Sequence, residues 1–178
     1  MSIKDDFYNK IINDLKKELK VSSKMAVPTV KKIVVNVGVG KNRENKKFME
    51  EVVGDIKAIT GQKPSARRAK KSISNFKLRK GQLTGYTVTL RGRRMWDFYE
   101  KLVKIVFPRV KDFRGLKKDS FDGSGNYSIG VNDHTVFPEI DPNSITYAKT
   151  LEITINTSAN DNNSGFKLLS ALEMPFRK

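Results

Sequence analysis

The stretch TGYTVTLR, residues 84–91, puts Tyr86, Val88 and Leu90 on one side of an extended chain and Gly85, Thr87, Thr89 and Arg91 on the other. Successive side chains of a strand point to opposite faces, so this pattern describes a strand with one apolar face for the core and one polar face free to bind. The segment KKIVVNVGV, residues 31–39, repeats it: Ile33, Val35, Val37 and Val39 alternate with Lys32, Val34, Asn36 and Gly38. Further strands are expected near 63–69, near Tyr127–Val131, and from Leu151, where Leu151, Ile153 and Ile155 alternate with Glu152, Thr154 and Asn156.

Helical periodicity fills the intervals between these strands. Phe7, Tyr8, Ile11, Ile12, Leu15 and Leu19 predict an amphipathic helix over 4–20. Phe48, Met49, Val52, Val53, Ile56 and Ile59 form a second stripe, stopped by Gly61 and Pro64. Met95, Trp96, Tyr99, Leu102, Val103 and Val106 form a third over 93–107, closed by Pro108, and residues 162–173 a fourth. Trp96 belongs to its stripe and is expected in the core rather than as a platform for bases. The order is helix, strand, helix, two strands, helix, two strands, helix. Paired strands favour an α+β fold: one domain over 1–178 with a mostly antiparallel sheet, helices packed on one face, and the other face polar and free to bind. Residues 1–24 form its N-terminal helix and connector, and residues 70–81 an extended basic loop.

Charge points to the partner. Between Ile56 and Trp96 there are twelve Lys or Arg residues and no Asp or Glu, in a chain whose net charge is +16. The block is interleaved with folded apolar alternation, so it is a polyanion-binding surface rather than a basic tail. Residues 119–164, by contrast, carry seven acidic residues and one basic one, which gives the molecule an acidic side. The chain has no cysteine and one histidine, which excludes thiolate chemistry, Cys-ligated zinc and most His-based catalysis. No run approaches the roughly 18 apolar residues of a membrane span.

Two enzyme-like motifs fail on inspection. GVGK at 38–41 follows a strand and precedes a helix, but the Gly that a phosphate loop needs five residues before Gly40 is Val35, and Asn42 replaces the magnesium-binding Ser or Thr. Asp133, His134, Glu139 and Asp141 could suggest a metal or acid–base site, and they are the one candidate for an RNA-processing enzyme. They sit around FPEIDPN, which reads as an irregular surface turn suited to an acidic protein contact. No cofactor and no metal are expected.

The loop AKKSISNFKLRKG, 69–81, carries the strongest chemistry. Lys70, Lys71, Lys77, Arg79 and Lys80 can reach phosphates, Ser72, Ser74 and Asn75 can hydrogen-bond sugars or phosphates, and Phe76 offers an apolar or stacking contact. The polar sheet face is expected to collect Asn36, Thr87, Thr89 and Arg91, with Gln62 and Lys63 arriving from the neighbouring strand and Arg93 and Arg94 nearby. Such short donors and acceptors suit the shallow minor groove and 2′-hydroxyls of folded RNA. Aromatics are missing from that face, which argues against stacking of single-stranded bases upon it.

Taken together, ITGQKP (59–64), AKKSISNFKLRKG (69–81), TLRGRRMWDF (89–98), FPRVKDFRGL (107–116), SFDGSGNYSIG (120–130), FPEID (137–141) and MPFRK (174–178) closely resemble the bacterial-type large-subunit ribosomal proteins of family five. The resemblance implies a non-enzymatic protein of the cytoplasmic ribosome. It would anchor 5S rRNA in the central protuberance through Asn36, Gln62, Lys63, Thr87, Thr89, Arg91 and Arg93, beside 23S rRNA and neighbouring large-subunit proteins. It also implies that the basic loop, with Lys70, Lys71, Ser72, Asn75, Phe76, Lys77, Arg79 and Lys80, reaches P-site tRNA. The turn Asp133–Asn143, with Asp133, His134, Glu139 and Asp141, would meet small-subunit protein thirteen in an intersubunit bridge. One departure is Asp133-His134, where the family usually has an acidic residue followed by Gln.

Overall fold

The computed structural model describes residues 3–42, 45–142 and 147–177. Its helices are α1 (Ile3–Asp6), α2 (Ile12–Glu18), α3 (Lys46–Thr60), α4 (Gly92–Lys101), α5 (Phe107–Arg109) and α6 (Asn162–Ala171). Its strands are β1 (Val30–Gly38), β2 (Ser65–Arg68), β3 (Leu83–Leu90), β4 (Tyr127–Val131) and β5 (Leu151–Thr157). They form one five-stranded antiparallel sheet in the order β2-β3-β1-β5-β4, the α+β architecture that paired strands predict. Asn143 of the acidic turn and Lys178 of the MPFRK motif lie outside the described residues.

The chain divides into two compact units. One holds Val34–Thr89 and Gly130–Ile153. Within it α3 starts where the Asn45 side chain accepts from the Phe48 N–H at 3.2 Å, and stops at Gly61, whose φ of 66° is left-handed backbone that glycine adopts without Cβ strain. The helix buries Phe48, Val52, Ile56 and Ile59. Val52, Ile56 and Ile59 share a small void with Val37 of β1 and Leu151 of β5, so odd-numbered residues of both strands face the helix. Asn36 and Glu152 therefore face the other way. In β2, Ser65 and Arg67 sit opposite Thr87 and Gly85 of β3, and Ala66 opposite Tyr86.

The other unit holds residues 1–33, 90–129 and 154–178. Helices α1 and α2 join through a π turn at Phe7–Ile11, so the expected helix over 4–20 spans Ile3 to Glu18. Phe7 and Trp96 are both buried, their ring centroids 5.4 Å apart, as the stripe reading of Trp96 requires. The third helix does not end at Pro108. It passes through a π turn at Leu102–Val106, where Phe107 N bonds back to the Leu102 carbonyl, into the short α5 that contains Pro108. The C-terminal segment is pinned by backbone bonds from Leu116 N to Pro175 O (2.8 Å) and from Arg177 N to Leu116 O (2.9 Å).

Candidate nucleic-acid interface

The face of the sheet opposite α3 is built from short polar side chains. Asn36, half-buried, donates from Nδ2 to Oε2 of the exposed Glu152 at 3.1 Å. In β3 the even-numbered Tyr86 borders Met49 and Val53 of α3, so the odd-numbered residues face the other way, among them the half-buried Thr89. Thr87 shares that parity, but it is 7% exposed and its hydroxyl donates to the Val35 carbonyl at 3.2 Å. Its role is to hold the sheet rather than to offer a free hydroxyl, which corrects its assignment as an open contact.

Gln62 and Lys63 are not brought in by a strand. β2 begins only at Ser65, and both residues lie in the bend after α3, where Gln62 N donates to Thr60 Oγ1 at 3.3 Å and Thr60 Oγ1 reaches the Gln62 carbonyl at 3.1 Å. The two residues β2 does contribute to this face are Ser65 and Arg67, both exposed. Arg91 follows β3 as an exposed, extended residue in the unit that carries α4. Arg93 falls in the first turn of α4, its Nε 3.8 Å from Asp97 Oδ2.

The basic loop is a small hairpin. At its base Ala69 N bonds to Gln82 O (2.8 Å) and Gly81 N to Ala69 O (2.9 Å). Higher up, Ile73 and Leu78 exchange backbone bonds of 2.8 and 3.1 Å around a 3₁₀ turn at Ser74–Phe76. The Ser72 hydroxyl accepts from Lys80 N at 2.9 Å, and Gln82 Oε1 accepts from Arg79 N at 2.8 Å. These bonds fix the path without using the charged tips: Lys70, Lys71, Lys77, Arg79 and Lys80 are all exposed, as is Asn75. Phe76 is 72% exposed and borders a groove with Gly40, Asn75, Lys77, Leu78, Leu83 and Thr84.

The acidic turn differs from expectation at its histidine. His134 is 1% exposed, so it belongs to the interior and cannot serve as a protein-contact residue. Its Nδ1 accepts from Lys149 N at 3.3 Å and its Nε2 lies 3.4 Å from Asp55 Oδ2. Lys149, itself buried, holds Asp55 Oδ2 at 2.5 Å and Glu51 Oε2 at 3.5 Å. Burial lowers the pKa of His134, the Lys149 ammonium adds to this, and the Asp55 and Asp133 carboxylates oppose it. Asp133, Glu139 and Asp141 remain exposed. Among the described residues no group of three or more His, Asp or Glu is placed to hold a metal ion, and no helix is long and apolar enough to cross a membrane.

Sequence reasoning missed Glu152, Ser65 and Arg67 on the open face. The signal for Glu152 was present in its parity with Thr154 and Asn156. Nothing in the order of residues announced Lys149, because a lone lysine before a strand carries no pattern.

Comparison with known proteins places this geometry. The family profile described as ribosomal protein L5 matches residues 23–79, and the profile for the C-terminus of the same ribosomal family matches residues 83–176. The chain is 48% identical over 176 residues to large ribosomal subunit protein uL5 of Baumannia cicadellinicola subsp. Homalodisca coagulata, covering 99% of this chain and 97% of that one. It is 49% identical over 174 residues to the uL5 protein of Wigglesworthia glossinidia brevipalpis, covering 97% and 98%. The uL5 protein of Buchnera aphidicola subsp. Schizaphis graminum is 48% identical over 174 residues, covering 97% of both.

Proposed function

The chain belongs to the ribosomal protein L5 family, and from that premise we propose that it binds 5S rRNA through the open face of its sheet and anchors that RNA in the central protuberance. It is a structural protein of the large ribosomal subunit and not an enzyme. The observation that carries the finer reading is the acid-free basic block: its strands lay short polar groups on the face opposite α3, and the same block is rich in cations. That combination suits the minor-groove side of folded RNA, where 2′-hydroxyls and phosphates lie within reach of short side chains and flexible cations.

The hairpin 69–81 serves a second RNA, P-site tRNA. Its cations are exposed while its path is set by internal hydrogen bonds, so it reaches out as a preformed arm. Asp133, Glu139 and Asp141 form the acidic contact for small-subunit protein thirteen, with 23S rRNA and neighbouring large-subunit proteins completing the surroundings.

Binding of a 5S rRNA transcript tests the division of labour. Thr89→Ala and Arg91→Ala weaken 5S rRNA binding, whereas the double variant Lys77→Ala, Arg79→Ala spares it and weakens tRNA contact on the assembled ribosome. Loss of 5S rRNA binding in the hairpin variant as complete as in the sheet variants would overturn the scheme.

A further inference from the structure

Glu152 is an anomaly on a face assigned to a polyanion. It is exposed, it points away from α3, and it lies beside Asn36 in the same unit. A carboxylate there repels phosphate, so its presence lowers affinity for RNA backbone in general. What it does do is commit the Asn36 amide: Nδ2 donates to Glu152 Oε2 at 3.1 Å, which leaves Oδ1 as the acceptor with unused capacity among the described residues. An amide free to rotate offers a donor or an acceptor in any one direction. An amide held this way turns its acceptor to the side away from Glu152 and keeps it there.

We propose that Glu152 is a positioning and selectivity residue: it fixes Asn36 as a hydrogen-bond acceptor, and the pair selects RNA that presents a donor at this point of the sheet in place of phosphate. Two groups of folded RNA supply such a donor in the minor groove, the guanine N2 amino group and the ribose 2′-hydroxyl. This inference rests on the reading of the open face as the 5S rRNA site. It adds that the centre of that face reads base edge or sugar, while the cations around it carry affinity.

The test uses the full chain, a 5S rRNA transcript, and an unrelated hairpin RNA. Nucleotides that the protein shields from chemical probing are replaced, in ligated 5S rRNA, by inosine to remove the N2 amino group or by 2′-deoxynucleotides to remove the hydroxyl. The wild-type protein loses roughly tenfold in affinity on one of the two replacements, and which one identifies the donor. Glu152→Gln binds the unrelated hairpin more tightly, and because a Gln amide can either accept from Asn36 or donate to it, it no longer fixes which end of the Asn36 amide faces the RNA and shows a smaller loss on that replacement. Glu152→Asp keeps the charge and shortens the reach, so it still rejects the hairpin but also shows the smaller loss. In an Asn36→Ala background, Glu152→Gln no longer changes the loss, which separates action through Asn36 from a general effect of charge. Equal melting temperatures accompany these shifts. Wild-type binding indifferent to both replacements, or Glu152→Gln behaving as wild type in both measurements, overturns the inference while leaving 5S rRNA binding intact. Failure of the wild type to prefer 5S rRNA over the hairpin removes the underlying reading itself.

Discussion

At the scale of single residues, His134 shows how sequence and fold diverge. Surrounded in the chain by Asp133, Glu139 and Asp141, it reads as part of a surface turn, yet the structure buries it against Asp55 and Lys149. Linear neighbours could not reveal this, because the groups that enclose it come from α3 and from the residue two before β5. The consequence is a pH dependence of stability. The folded state holds this imidazole below its ordinary pKa of about 6.5, so the unfolded chain binds more protons as pH falls through that value. Stability contributed by neutral His134 is thus full above pH ~6.5 and declines toward the lower folded pKa. The urea midpoint of the wild type should drop more between pH 7 and pH 5 than that of His134→Gln, which cannot titrate; parallel curves would remove the assignment. Lys149→Met leaves Asp55 and Glu51 without their shared cation. Their side chains keep 23% and 24% of their surface exposed, so the loss should be about 2 kcal/mol, below the ~3–5 of a fully buried pair. Chemical denaturation at neutral pH measures it.

At the scale of elements, legibility followed period and length. β1, β3, β5 and α3 were readable because their apolar positions repeat at 2 or near 3.6 residues over seven or more residues. β2 is four residues long and wholly exposed, with no apolar face to mark it, so its expected start fell two residues early and drew Gln62 and Lys63 into the sheet. The approach of β1 to β3 was equally invisible in sequence. A Cβ on Gly85 would stand 2.6 Å from the Val37 carbonyl oxygen, a backbone atom that can move only with its strand. A Cβ on Gly38, across the same pair of strands, would meet open space, with nothing within 4 Å. Gly85→Ala should therefore cost roughly 1–3 kcal/mol and weaken RNA binding by distorting the open face, as overpacking does. Gly38→Ala should be within about 0.5 kcal/mol of wild type. Equal effects of the two substitutions on the denaturation midpoint would contradict the tight β1–β3 approach.

At the scale of the whole molecule, the net charge of +16 sets two responses to salt that run in opposite directions. The free protein repels itself, and added salt screens that repulsion, so its melting temperature should rise between about 20 and 200 mM NaCl. RNA binding releases counterions from phosphate, so affinity for 5S rRNA should fall by several powers of ten between about 50 and 200 mM if six or more phosphates are neutralised. A fold weakened by salt would lose both together, and opposite signs identify the RNA effect as electrostatic. The slope also counts contacts. Arg91→Ala should reduce it by about one unit, while Lys77→Ala with Arg79→Ala should leave it unchanged if, as proposed, the hairpin cations serve a different RNA. The Glu152→Gln protein should follow the wild-type slope within error, since a residue that selects base or sugar donors displaces no counterion, and a slope steeper by a full unit would mean that phosphate had moved onto the centre of the sheet.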